Sequence, residues 1–431
     1  MNLTDKLWCL DHLSRSKLRL SLVELICWAA FSLLLVIHCV ENTSLIYQDL
    51  PWMDTMYLFR NLLYLVLLFK AAFLSVYRPK ELWCVVAVLL AGTLCFICSG
   101  DFTLMEFAII VIAAKDISPR SLVNAYAVIK TAAILLTLTL AAMNILPNIV
   151  YENGDRDAYY TYGFCHRNVL GANMAVLCLA WLYLRYQKMQ RRDLVLWGVL
   201  TVVTYLVAVS RTSLIIMVLT IVLVYGCRRM ENRILKMSHM RKILLGFFLG
   251  LFLLSLVCTV FYARYNEFWE FVDKIFTKRL RFSHQVLDEY GFSLFGQEIK
   301  FVSTLEALND SSSTRLILDN AFMRALLYNG IIPGGLFLAV YCKALDRAWL
   351  QKNLPVVTGM LVMAVYGMSE RFMMDVNYNF PLLMACLSLF RQQETQSADA
   401  YRLPFEYALE VLAGIWKWCR KRLAKASEVA E

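Results

Sequence analysis

Long apolar runs separated by short polar turns recur along almost the whole chain. A hydrocarbon core roughly 30 Å thick asks for helices of about 17–25 apolar residues, because a span must satisfy its own backbone groups. In chain order the runs predict spans at about 21–40, 55–77, 82–98, 102–114, 123–146, 168–185, 194–209, 213–227, 243–263, 331–345, 354–369 and 380–390. Ser99-Gly100-Asp101 turns the third run into the fourth, Pro147 breaks the fifth, and Ser210-Arg211-Thr212 turns the seventh into the eighth. The expected fold is an all-α polytopic membrane protein with about 12 transmembrane helices. One long polar segment, 264–330, interrupts the pattern and is expected to fold as a cap on one membrane face.

Charge orients this arrangement. Lys and Arg crowd alternate turns, as in RYQKMQRRD at 184–193 and CRRMENRILKMSHMRK at 227–242, whereas the loop 41–54 has neither. By the positive-inside rule both termini face the cytoplasm and the 264–330 segment is extracytoplasmic. The chain then divides into a cytoplasmic N-terminus (1–20), spans one to nine (21–263), the cap loop (264–330), spans ten to twelve (331–390) and a cytoplasmic tail (391–431). The first apolar run lacks a small-residue cleavage site and is expected to remain as an anchor. Within the tail, 403–426 places Phe405, Leu409, Leu412 and Ile415 on one face above a basic end. This suits an amphipathic helix on the anionic inner leaflet, or one packed on cytoplasmic loops. The net charge of +10, from 43 basic against 33 acidic residues, reflects inside anchoring rather than nucleic-acid binding. With 60% apolar and 18% charged residues and a mean hydropathy of +0.56, a soluble globular chain is excluded. The 13 cysteines form no CxxC pair and sit mainly within spans, as small apolar residues do.

Ionisable residues inside lipid are costly and face partners or the bundle interior. Depth pairs Glu24 with Lys70 and Arg60 with Glu106, as structural ion pairs first and transport elements second. The turns assigned to the outside break the charge rule: they hold Arg156, Arg167, Arg211, Arg264, Arg281, Arg315, Arg324 and Arg371. Arginine offers a planar fork suited to phosphate oxygens. Singly, each is as readily a solvated or ion-paired side chain; together they point to a membrane-borne phosphate or pyrophosphate ligand. No His/Cys cluster and no GxxxxGK[ST] loop is present, so neither a metal nor a nucleotide cofactor is expected.

Three stretches, YGFCHRNVLGAN (162–173), VSRTSL (209–214) and LDNAFMRALLYNGIIPGGLF (318–337), with RFSHQVLDEYGFSLFGQ (281–297) before the last, resemble the bacterial O-antigen polymerase and ligase superfamily. The likeness is greatest to capsular or exopolysaccharide repeat-unit polymerases. It implies a metal-independent glycosyltransferase of the multi-span C type in the bacterial cytoplasmic membrane. Such enzymes join oligosaccharides carried on undecaprenyl pyrophosphate at the outer face, for capsule, exopolysaccharide or O-antigen synthesis. A flippase and a chain-length regulator are the implied protein partners, beside membrane lipid. Arg211 resembles the family's pyrophosphate-binding arginine, followed by Arg281 and then Arg324, with Arg315 in the same cap. His166 and Asn168 match a short His/Pro-Asn stretch, although Arg167 stands where proline or serine is common. The ligase branch carries a His-Asn pair with glycine nine residues on; here Asp319-Asn320 precedes Gly330. That departure puts a histidine base in doubt and points towards a polymerase. Asp319 then reads as the base for the acceptor hydroxyl, or as the N-cap of a helix 320–329, roles that are compatible. Asn320 and His284 are further substrate-binding candidates, His284 the lesser. Glu370, Arg371, Asn377 and Asn379 bind sugar hydroxyls or close the last turn. The alternatives are a ligase-type glycan transferase and, from another class, a lipid-linked oligosaccharide flippase or transporter. A transporter is expected to show internal repeats, and none is evident.

Overall fold

The computed structural model describes residues 17–390, apart from 49, 116, 154–155, 264–265, 276–277 and 303–314, together with a few positions between 413 and 420. The tail helix expected over 403–426 therefore lies almost wholly outside the described residues. Helices α1 (Lys17–Glu41), α2 (Trp52–Phe69, continued by a π-turn Lys70–Leu74), α3 (Pro79–Ser99), α4 (Thr103–Ala113) and α5 (Pro119–Ala142) form the first half. A small antiparallel hairpin, β1 (Val150–Asn153) and β2 (Arg156–Tyr160), occupies the polar loop after α5, a departure from a purely helical expectation. There follow α6 (Arg167–Arg185), α7 (Arg191–Ala208), α8 (Arg211–Arg229), the short α9 (Glu231–Lys236) and α10 (Met240–Val260). The long polar segment folds as α11 (Glu267–Ile275), α12 (Arg279–Tyr290) and α13 (Ala321–Leu327). The chain closes with α14 (Ile331–Leu350), α15 (Leu354–Gly367) and α16 (Phe380–Phe390).

Seven of these helices are long and apolar enough to cross a membrane: α1, α2 with its π-turn, α3, α5, α6, α8 and α10. The protein is thus a polytopic, predominantly α-helical membrane protein. Burial sorts the helices into two classes. The best span window of α6 is 67% buried, that of α10 only 17%. The short α15 and α16 are buried along nearly their whole length, so they sit with α6 at the centre while α10 presents Leu249, Leu253 and Leu254 outward. Outward leucines on a membrane helix meet lipid, which solvates them as well as a core would.

Helix α4 shows how a short helix is accommodated. Its 11 residues cover about 16 Å at 1.5 Å per residue, roughly half the hydrocarbon thickness. Its C-terminal carbonyls therefore end inside the bundle, where they need donors. Lys70 Nζ supplies them, donating to Ala113 O at 2.7 Å and Lys115 O at 2.8 Å. A cation at a helix C-terminus also opposes the helix dipole. The expected Glu24–Lys70 pair gives way to this arrangement: Lys70 is buried and Glu24 exposed. The expected Arg60–Glu106 pair becomes a larger network, with Arg60 on Glu41, and Glu106 on His38 and Tyr64.

The joint between α13 and α14 is packed without slack. Gly330 adopts φ +93°, and a Cβ there would overlap the backbone N of Gly296. A Cβ on Gly334 would overlap the carbonyl oxygen of Ala325. Segment 293–297 is hydrogen-bonded to the joint through Ile331 N–Ser293 O (2.9 Å), Ile332 N–Leu294 O (3.0 Å) and Gln297 N–Tyr328 O (3.1 Å).

Candidate functional site

The start of α6, the start of α8, the start of α13 and the loop after α15 meet at one end of the bundle. Gly171 on α6 allows α8 to approach so closely that a Cβ would collide with Ser213. Ser213 Oγ in turn lies 3.0 Å from Ser210 Oγ and 3.3 Å from the Tyr366 hydroxyl of α15. The turn before α8 passes through Val209 at φ +50°, a costly conformation for a β-branched residue that surrounding structure must hold. Arg211 opens α8 directly after this braced turn and is exposed. Its neighbour Thr212 donates to Glu370 Oε1 at 3.5 Å.

Arg279, at the first position of α12, is the hub. Its Nη2 is 2.5 Å from Glu370 Oε1, and its Nε is 3.4 Å from Asp319 Oδ2. Arg279 and Glu370 are buried, with side chains 8% and 7% exposed, whereas Asp319 is 27% exposed. One arginine therefore holds a buried and an accessible carboxylate. Burial raises the Glu370 carboxyl to about 7, with Arg279 and Arg371 pulling it down and Asp319 pushing it up.

His166 is the N-cap of α6, its Nδ1 accepting from Asn168 N at 3.1 Å. Burial, then the charge of Arg167, lowers its imidazolium to about 4; Asp319 opposes this and Arg315 and Arg279 add to it. The ring is thus neutral at pH 7, with Nδ1 as acceptor and its proton on Nε2. His166 is a hydrogen-bond donor here rather than a resting base.

The other candidates from the sequence are placed as follows. The N-cap of α13 is Asn320, not Asp319: its Oδ1 accepts from Phe322 N (3.0 Å) and Met323 N (3.1 Å), and its amide donates to Ser255 Oγ (3.2 Å). The capping half of the Asp319 reading is thereby corrected, and Asn320 is spent on structure. Arg281 lies apart from Arg279, since a two-residue step along a helix turns about 200°. Its backbone N and that of Leu280 both bond Asp273 Oδ1 at 3.1 Å, and its charge acts on the same carboxylate. Arg324 binds a different acid, Asp101 Oδ2, at 3.1 Å, beneath the rings of Tyr328 and Phe301. Against the upward push of burial, Arg324 and the Thr103 bonds hold the Asp101 carboxyl below its ordinary value. His284 lies between Thr259 O (2.9 Å) and Asp288 (3.2 Å), packing α12 on the end of α10. Arg315 stacks over Phe282 at 5.0 Å and acts electrostatically on His166. Asn377 is buried in the loop after α15, its backbone O accepting from the Tyr126 hydroxyl at 2.5 Å.

Arg279 was passed over in the sequence, although a signal for it exists. Positions 279, 283 and 286 follow helical spacing, and Arg279, Ser283 and Val286 are all buried on that face. The sequence also holds an Asp-x-Asp triplet, Asp155-Arg156-Asp157, whose side chains lie outside the described residues. Among the described residues no group of His, Cys, Asp and Glu has metal-binding geometry.

A second charged constellation lies beside the first, where α1 ends and α4 begins. His38 bridges Glu41 (2.9 Å) and Glu106 (2.5 Å), Arg60 binds Glu41, and the Tyr64 hydroxyl donates to Glu106 at 2.8 Å. Asp375, five residues after Glu370, faces it and surrounds with it a cavity of about 300 Å³. The partition between the two sites is well tied, with Cys165 N on Asn42 O (3.0 Å) and the Tyr378 hydroxyl on Asn42 Oδ1 (3.1 Å).

Comparison with protein-family models, with curated proteins and with solved structures gives no match, so the functional reading rests on these residues and their geometry.

Proposed function

We propose that the protein is a polysaccharide repeat-unit polymerase, transferring a growing glycan from undecaprenyl pyrophosphate onto an incoming repeat unit at the outer face of the bacterial cytoplasmic membrane. On this reading all twelve apolar helices count as spans, both termini are cytoplasmic, and α11–α13 cap the site. The observation that carries it is the Arg279 hub, with Asp319 accessible, His166 neutral and Arg211 on a braced turn at the same end of the bundle.

A sugar on a lipid pyrophosphate has a good leaving group already. The chain must place positive charge where the departing pyrophosphate gains negative charge, and a fixed donor set does this without reorganising. On this reading Arg211, exposed at a helix start, and Arg315 supply that charge. Asp319, freed from capping, takes the proton of the acceptor hydroxyl as its oxygen attacks the anomeric carbon and the carbon–pyrophosphate bond breaks. Arg279 positions Asp319, and Glu370 fixes Arg279. The Nε2 proton of His166 and the backbone around it supply donors to the substrate.

The test is the lipid intermediate left behind. A strain lacking this gene is expected to accumulate single repeat units on lipid at the outer face, and Asp319→Asn is expected to do the same at normal protein level. Units trapped inside would favour the flippase alternative, and a complete polymer with unligated glycan would favour the ligase. Orientation is checked by single-cysteine labelling: Tyr290→Cys should react from outside and Leu235→Cys only from inside.

A further inference from the structure

The His38 constellation is not used by this mechanism, and it surrounds open space. A closed ion-pair network of this kind would collapse onto itself; here the side chains hold apart a volume of about 300 Å³. That is about ten water volumes and the lower end of the roughly 300–1,000 Å³ range of ligand sites. It suits one small ring, not a lipid chain.

The lining has unmet bonding capacity of both kinds. Glu106 receives its bonds on Oε1 alone, from His38 and Tyr64, and among the described residues nothing donates to its Oε2. Among the described residues Asp375 accepts a side-chain bond from Asn377 N on Oδ1 only, at 2.8 Å. Arg60 binds Glu41 through Nη1, and its side chain, 28% exposed and lining the space, carries further N–H donors. An ionised carboxylate offers about four lone-pair sites, so both acids keep open acceptors. Phe102 adds an apolar face, its ring 5.1 Å from Tyr64 and 5.4 Å from Phe96. Sign of charge excludes a phosphate: Glu41, Asp101, Glu106 and Asp375 outnumber Arg60 and His38 around the space. Ionisable groups within a membrane span, as Arg60 is, usually mark a ligand or ion path.

We propose that this cavity binds a hydroxylated sugar ring, with Glu106 and Asp375 accepting from ring hydroxyls, the Arg60 guanidinium donating to one, and Phe102 against the ring's C–H face. Binding of the ring stands independently of the polymerase reading; only its assignment to the incoming repeat unit rests on that reading. Asp375 and Glu370 on one loop would then join acceptor binding to the Arg279 hub.

The experiment is saturation-transfer NMR on the full chain in nanodiscs, with glucose, galactose, rhamnose and N-acetylglucosamine as probes. Ring protons of at least one sugar are expected to receive saturation from the protein. The effect should weaken at least tenfold in Glu106→Gln, the loss expected for one hydrogen bond to a charged group, and persist in Asp319→Asn. Tyr64→Phe, which removes one hydroxyl and no charge, gives the same direction if Glu106→Gln fails to fold. The proposal is overturned if no sugar receives saturation, or if transfer is unchanged in both cavity variants. Sugar binding in a protein whose loss leaves the surface polysaccharide intact would sink the polymerase reading and leave the cavity standing; normal polymerase behaviour with no sugar binding would do the reverse.

Discussion

The Arg279 hub and the His38 cavity lie at the same end of the bundle, and both bring acids and bases into low-dielectric surroundings. They are built in opposite ways. At the hub one arginine sits between Glu370 and Asp319, and both acids are bound to it. In the cavity two networked acids, Glu41 and Glu106, share His38, Arg60 and Tyr64, and acceptors are left over around an opening. A closed network fixes a geometry; an open one has something left to offer. The hub therefore suits positioning and charge stabilisation, and the cavity suits capture of a polar ligand.

The most severe way to break this contrast is Arg279→Ala. Removing one partner of a buried pair costs about 3–5 kcal/mol because the remaining charge is orphaned. Both activity and the thermal midpoint of the solubilised protein are expected to fall. Adding Glu370→Leu should restore much of the midpoint but none of the activity; recovery of activity would remove the hub from the mechanism. Next in size is Arg211→Ala, which should abolish polymer with no change in thermal midpoint, since Arg211 is exposed and forms no ion pair among the described residues. Arg211→Lys should recover part, about tenfold to a hundredfold below the native rate, because a point charge cannot reproduce a planar fork.

The pH dependence sharpens the same difference. Glu370 is protonated below about 7 and ionised above it, so its ion pair with Arg279 completes as pH rises through that value. Polymerisation in isolated membranes should climb over this window, and Glu370→Gln should flatten the climb. A limb that survives in Glu370→Gln assigns it elsewhere. Smallest of all is Arg281→Ala, expected within about threefold of the native rate, near the ±0.5 kcal/mol of ordinary surface changes. An Arg281→Ala enzyme as inactive as Arg279→Ala would reverse the assignment of the two arginines.

Much of the helical frame was legible in the sequence, because a run such as 243–263 has few ways to satisfy its backbone in lipid other than as a helix. The meeting of Gly171 with Ser213 was not legible, because nothing in either segment says which helices adjoin. Pairings were not legible. Lys70 has Glu24 at matching depth, yet α4 ends early and its orphaned carbonyls take the ammonium. Depth along one axis says nothing of the angle around a helix. For the same reason Arg281 stood out in RLRFSHQ while Arg279 holds the acids. The cap of α13 fell to Asn320 rather than Asp319 because the helix starts one residue later than the sequence suggested, which frees Asp319. His38 drew no notice as a lone histidine; its meaning comes from Glu106, sixty-eight residues away.

Helix α14 has 20 residues and is about 30 Å long at 1.5 Å per residue. Through the glycine joint at its start, any tilt of that rod passes to α13 without backlash, because neither Gly330 nor Gly334 leaves room for the parts to slide. Asn320 and Asp319 sit at the far side of the hinge, and segment 293–297 is bolted to it. The far end of α14, at Leu350, is thus the long arm of a lever whose short arm carries Asp319. A displacement of that far end is expected at the carboxylate as a shift of position, with no change in any residue around it.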